Sequence, residues 1–233
     1  MKNQYFGDVN DYRKYGLLRV LASSASVRLG ICWLLTADDD RTDGELRRYL
    51  QQPGRWRHYD AELYDRLRHL LVQGTERSIA HARHWNLVPG ATYFERLLTD
   101  EQLARDQYFA AAWEALADSD VVFFDPDNGI EVESTTIGAR GSCKYVYWRE
   151  LIRGYGMGKS VLVYQHYPRV SRERFVPFLA RRLEEELGAQ SVTAFRTSHA
   201  AFFLVAQDRQ REALSSVQKA VASRWLRQIE PWP

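Results

Sequence analysis

The run Phe123-Phe124-Asp125-Pro126-Asp127-Asn128-Gly129 puts two carboxylates and a carboxamide in a turn directly behind an apolar strand candidate. Proline stiffens this corner and glycine releases it, so Asp125 is delivered at a defined place. Three chemistries suit such a corner. Asp125 and the adjacent carbonyls can accept the hydrogens of an exocyclic amino group. Asp125 and Asp127, at i and i+2, can together hold a hard cation such as Mg²⁺ or Mn²⁺. The turn can also simply cap the element that follows. Two other apolar runs end in polar groups. Val27 to Thr36 leads into Asp38, Asp39 and Asp40, with Asp43 close behind. Ser160 to Gln165 leads into His166 and Arg169, where a histidine suits a base, a ligand or a satisfied strand-end group. Lys144, beside Ser142, Tyr145 and Trp148, offers a cation for phosphate and rings for a base. The same aromatics equally suit a core.

The segment Tyr5-Phe6-Gly7-Asp8-Val9-Asn10-Asp11-Tyr12-Arg13-Lys14-Tyr15 is denser in polar and aromatic residues than a helix start requires. Asp8 or Asn10 can cap a helix, but capping does not account for Asp11, Arg13 and Lys14 together. A segment folded back over a ligand cleft is the expectation. Several signatures are missing from the sequence: a Walker A loop, a G-x-S-x-G elbow, paired C-x-x-C motifs, and a G-x-G-x-x-G after the first strand. An ordinary dinucleotide fold is therefore not expected. The histidines His58, His69, His81 and His84 carry no second ligand signature, and His199 reads as structural or solvent-facing.

The elements that must position these groups alternate. The apolar runs Val27 to Thr36, Val121 to Phe124 and Ser160 to Gln165 suit strands covered on both faces, hence a parallel sheet. Helices are expected over Ala61 to Leu71, Gln102 to Ala117 and Arg172 to Leu187, giving an α/β pattern. Val192 to Arg196 and Ala201 to Ala206 are joined so tightly that an antiparallel hairpin is expected, followed by a helix over Gln210 to Leu226. Ala91 to Leu98 suits strand or helix. The whole reads as one Rossmann-like α/β domain over residues 1–233, with 37–99 a helical insertion or cap. Strand-end polar groups of a parallel sheet converge on one cleft.

Composition sets the bounds. At 233 residues, 45% hydrophobic and 27% charged, the chain is globular rather than disordered or fibrous, and two cysteines make neither a disulfide scaffold nor a zinc quartet. No run approaches the ~20 apolar residues of a bilayer span, and the first residues lack a signal-peptide pattern, so a cytoplasmic protein is expected. The net charge of +2 is uninformative. Arg41, Arg47, Arg48, Arg55, Arg57, Arg66 and Arg68 cluster, reading first as a solvated face and alternatively as a cationic face for an anionic partner.

The blocks Tyr5 to Arg19, Leu35 to Gly44, Phe123 to Gly129 and Tyr164 to Arg169 resemble an uncharacterised family of bacterial and phage proteins. More distantly, the chain resembles Rossmann-like adenine-N6 methyltransferases, the J-type 23S rRNA enzyme and the three-Cys-motif partner proteins. Gly7, Asp11 and Lys14 match a G-x-x-x-D-x-x-K-H segment, with Tyr15 in place of the histidine. Asp125 and Pro126 match the start of D-P-P-Y, while Asp127 and Asn128 depart from it. His166-Tyr167-Pro168 resembles a W-Y-P segment. The resemblance implies a methyltransferase-like enzyme acting on a nucleotide or nucleic-acid amino group. In that reading Asp125 and Pro126 receive the amino group, with Asp127, Asn128 and His166 beside them. Tyr145 or Tyr167 stacks the base, Lys144 or Arg169 binds phosphate, and Asp38, Asp39, Asp40, Asp11 and Lys14 face S-adenosylmethionine. The rival reading is a metal-dependent phosphoesterase or nuclease, with Asp39, Asp125 and Asp127 on Mg²⁺ or Mn²⁺ and His166 activating water. A non-catalytic nucleotide or nucleic-acid binding module is the third.

Overall fold

A computed structural model describes residues 1–39 and 42–232. The chain runs through α1 (Val9–Ser24), β1 (Leu29–Cys32), α2 (Pro53–Trp56), α3 (Ala61–Val72), α4 (Ala80–His84), β2 (Thr92–Phe94) and α5 (Gln102–Ala115). It continues through β3 (Val121–Phe124), β4 (Gly129–Ile130), β5 (Tyr145–Val146), α6 (Trp148–Gly156) and β6 (Ser160–His166). It ends with α7 (Arg172–Leu187), β7 (Val192–Arg196), β8 (Ala200–Val205), α8 (Arg211–Arg224) and β9 (Glu230–Trp232).

The main sheet has the order β2-β1-β3-β6-β8-β7-β9. β2, β1, β3 and β6 are parallel, in the register Ile31↔Phe123 and Phe123↔Leu162. β8 then inserts antiparallel between β6 and β7, and β9 adds an antiparallel edge. A Rossmann-like sheet, mostly parallel at its centre and closed by a C-terminal antiparallel hairpin, is the architecture. β4 and β5 form a separate short parallel pair.

The apolar runs are buried because both faces of the sheet are covered. Ile31, Phe123, Leu162 and Phe202 pack on one face with Tyr12, Leu17, Leu67 and Val217 of α1, α3 and α8. Their strand neighbours Cys32, Phe124, Val163 and Phe203 pack on the other with Trp113, Leu151 and Leu183 of α5, α6 and α7. The two-residue period of a strand thus feeds two cores. No helix among the described residues is long and apolar enough to cross a membrane.

Three elements differ from the sequence-based expectation. β1 stops at Cys32, short of Thr36, because the backbone turns through Leu34 at φ 44°, a conformation branched and bulky residues rarely adopt. The span 37–99 is not helical throughout. Its end supplies β2, which is only three residues long, too short for periodicity to declare, and which is fixed by pairing with β1. The third is β9, which contains Pro231; proline fits there because the strand is at an edge.

Candidate functional site

The order of the strands locates the site. β1 connects outward to β2, whereas β3 lies on the other side of β1, so the sheet switches direction between β1 and β3, where open α/β sheets bind ligands. Over that point lies a cleft of about 400 Å³. Its walls come from the start of α1, the stretch 43–46, the turn after β3, the loop at Lys144 and the ends of β6 and of the β7–β8 hairpin, and include Asp11, Lys14, Asp125, Asn128 and His166.

The N-terminal segment reaches the site because α1 is anchored there. Asp8 caps α1 through the Asn10 amide at 2.8 Å, and its second oxygen accepts from the Leu46 amide at 3.0 Å. Gly7, at φ 79°, donates its amide to Asp11 Oδ2 at 3.1 Å; a Cβ there would lie 2.1 Å from Leu71 Cδ1. Asp11 and Lys14 then share one face of the helix. Lys14 Nζ lies 2.8 Å from Asp11 Oδ1 and 2.6 Å from Asp125 Oδ2, with all three groups out of water. Burial opposes a charge on Lys14, but Asp11 and Asp125 outweigh it and raise its pKa. Burial pushes Asp11 up to about 6, against the pull of Lys14. The two causes differ: the pair of carboxylates raises Lys14, whereas loss of water raises Asp11.

Asp127 is held separately. Its Oδ2 accepts from Thr36 Oγ1 at 2.8 Å, and its Oδ1 lies 2.7 Å from the Met1 amino nitrogen as an ion pair rather than an aligned hydrogen bond. Burial alone would raise the Asp127 pKa, yet the ammonium and the threonine lower it. The Met1 nitrogen also donates to the carbonyls of Asp125 (2.9 Å) and Leu34 (3.2 Å), and the Thr36 amide donates to Met1 O (2.8 Å).

Two acceptors and donors are left over. Asp125 Oδ1 has no hydrogen-bond partner among the described residues. The backbone of Asn128 is fully engaged, its amide donating to Lys144 O (2.9 Å) and its carbonyl accepting from His166 N and Gln165 Nε2 (3.2 Å each). Its carboxamide has no partner among the described residues, and it lines the cleft. A carboxamide both donates and accepts, as the edge of a nucleobase requires.

Of the groups singled out in the sequence, Asp11, Lys14, Asp125, Pro126, Asp127, Asn128, Lys144 and His166 line one cleft. Asp38 and Asp39 do not. Asp38 accepts from the Gln4 amide at 3.1 Å, and Asp39 pairs with Lys2 and accepts from Gln4, so both bind the first turn of the chain. Asp40 and Arg41 lie outside the described residues. Tyr145 lies in β5, its carbonyl accepting from Arg105 at 2.7 Å. Tyr167 packs against Phe175 under the Arg172 guanidinium, and Arg169 is an exposed turn residue; none of these three lines the cleft. Tyr15 is core, its ring edge-on to Trp33. His199 and Tyr164, by contrast, do line the cleft. His199 arrives there because β8 runs antiparallel to β6, with His166 opposite Ala200, so the hairpin turn meets the end of β6. Burial lowers its pKa. The tight hairpin was the only sequence signal for it.

Two bound groups can be tested against these side chains. A hard divalent cation does not fit: Asp125, Asp127 and Asp39 each face an ammonium, and no group of three His, Cys, Asp or Glu among the described residues is placed to hold a metal. Of the residues read for S-adenosylmethionine, Asp11 and Lys14 line the cleft and Asp38 and Asp39 do not. The end of β1 carries Trp33 and Leu34 instead of a glycine-rich turn, and Met1 occupies the backbone groups there. No protein-family model matches the chain, and no curated protein matches its sequence significantly.

Proposed function

We propose that the chain is a methyltransferase-like enzyme whose cleft receives the amino group of a nucleotide or nucleic-acid base. The observation that carries this reading is the turn Asp125–Asn128 at the switch point of the sheet, with one carboxylate oxygen and one carboxamide unpartnered among the described residues. The antiparallel strand inserted beside the parallel ones also suits a methyltransferase sheet. In this reading Lys14 holds Asp125 in place, Asp125 Oδ1 accepts an amino hydrogen, and Asn128 reads the neighbouring ring positions. Lys144 and His166 face the phosphate. The two ion pairs on Asp125 and Asp127 favour this over a metal-dependent hydrolase.

A site built to bond an amino group discriminates steeply against a ligand lacking it, because its own polar groups are then left unpaired. Titration calorimetry with AMP and with IMP, which carries a carbonyl in place of the amine, tests the reading. AMP binding at least roughly tenfold tighter than IMP is expected, with the difference lost in Asn128→Ala. Equal affinities, or none for either, would overturn it. S-adenosylmethionine titrated into the same protein decides between a transferring enzyme and a site that only binds.

A further inference from the structure

Beside the cleft runs a second groove, of about 670 Å³, lined on its apolar side by Val9, Leu46, Tyr49 and Trp56. Asp43, Gly44 and Leu46 line both cavities, so the two lie on either side of one wall. The outer lip carries Arg48 and Arg55, both exposed. The arginines around them are spoken for: Arg47 and Arg77 pair with Glu45, Arg57 with Asp65 and Arg66 with Glu62. Arg48 and Arg55 have no ion-pair partner among the described residues. Arg55 is steadied over the Trp56 ring at 6.0 Å, and Arg13 also lies over that ring at 5.5 Å. Of the two carboxylates on this wall, Glu45 is neutralised twice over by Arg47 and Arg77, and Asp43 is the one that the strand's path must pass.

We infer that this groove carries the sugar–phosphate backbone of a single-stranded nucleic acid whose target base enters the cleft. The inference rests on the nucleotide reading of the cleft and deepens it, choosing a strand over a free nucleotide. Unpaired guanidiniums on an apolar groove suit a polyanion that brings its own flat apolar bases, whereas a free mononucleotide would leave the groove unused. A strand crossing the shared wall at Asp43, Gly44 and Leu46 reaches both cavities.

The test uses a fluorescein-labelled single-stranded dodecamer, as RNA and as DNA, read by anisotropy over a salt series, with AMP titrated calorimetrically alongside. Wild type is expected to bind the dodecamer at least roughly tenfold tighter than AMP. In Arg48→Ala/Arg55→Ala, AMP affinity stays as it was, while dodecamer affinity falls roughly tenfold. The log–log salt slope shrinks by about 1.4, the counterions of two phosphate contacts on a single strand. Arg48→Lys/Arg55→Lys restores most of the slope. A loss seen with either RNA or DNA supports the groove and names the sugar it takes. Unchanged affinity and slope for both overturns it. Arginine-dependent dodecamer binding without any AMP binding would keep this inference and remove the cleft reading.

Discussion

Asp11, Lys14 and Asp125 put two carboxylates around one ammonium where water cannot share the charge. Lys14 is the group whose proton is safest, because removing it would leave two buried anions facing each other. Asp11 is the group that titrates. Its pKa rises from 3.8 to about 6 on folding, chiefly through burial. The sign follows: a raised folded-state value means the native protein binds this proton more tightly than the unfolded chain does. The resulting stability is fully present below about pH 4 and is lost as pH rises through about 6. Asp11→Asn removes the titration. Compared by urea unfolding at about pH 4 and about pH 7, the variant should gain on wild type as pH rises, by at most about 3 kcal/mol. A constant difference between the two proteins across that range would show that Asp11 stays ionised.

At the scale of elements, α5 and α6 are joined by a buried arginine. Arg105 is fully buried and bidentate to Glu150, at 2.6 and 2.8 Å, and donates to the carbonyls of Ser142 (3.2 Å) and Tyr145 (2.7 Å). Those carbonyls belong to the stretch that carries Lys144 to the cleft. Arg105→Met strands a buried carboxylate and should cost about 3–5 kcal/mol by chemical denaturation. Adding Glu150→Leu should recover a large part of that loss, yet AMP affinity should stay reduced in both, because the loop has lost its donors. Recovery of affinity with the double variant would mean that Arg105 does not position the loop. The contact of α1 with α8 depends on Gly16. A Cβ there would fall 1.9 Å from the Trp225 ring, which is itself fixed against Tyr59 and Tyr12. Alanine improves helix propensity by about 1 kcal/mol, but overpacking a rigid ring costs about 1–3 kcal/mol or more. With the methyl this deep inside the ring, the steric cost wins, and Gly16→Ala should lower the melting temperature. A melt at or above wild type would contradict that.

For the whole molecule, one sheet separates two cores and gathers six chain segments at a single edge. A ligand held by those segments binds the native state and not the unfolded one. AMP at about 100 times its dissociation constant should then stabilise the protein by about 2.7 kcal/mol, raising the melting temperature by roughly 5–10 °C. IMP at equal concentration, bound at least roughly tenfold more weakly, should stabilise it by at most about 1.4 kcal/mol, half the effect of AMP or less. A rise of similar size with both would mean that the cleft reads phosphate and ribose rather than the amino group.

The α/β class and the central strands could be read from the sequence alone, because a strand covered on both faces must be apolar at every position. Val121–Phe124 and the stretch 161–164 of β6 are so built. The corner Asp125–Gly129 was legible for a related reason, since proline and glycine act on the chain locally. The tertiary structure decided the rest. Lys14 and Asp125 stand 111 residues apart, and only the packing of α1 across the sheet brings them to 2.6 Å. Asp38 and Asp39 follow a strand just as Asp125 does, yet the turn at Leu34 and the return of the first residues give them to Lys2 and Gln4 instead of the cleft. His199 reached the site, and Tyr145 and Tyr167 did not, through strand pairing that no local spacing encodes. Local composition determines what a segment can bury, whereas the partners of a charge depend on which distant segments the sheet order makes neighbours.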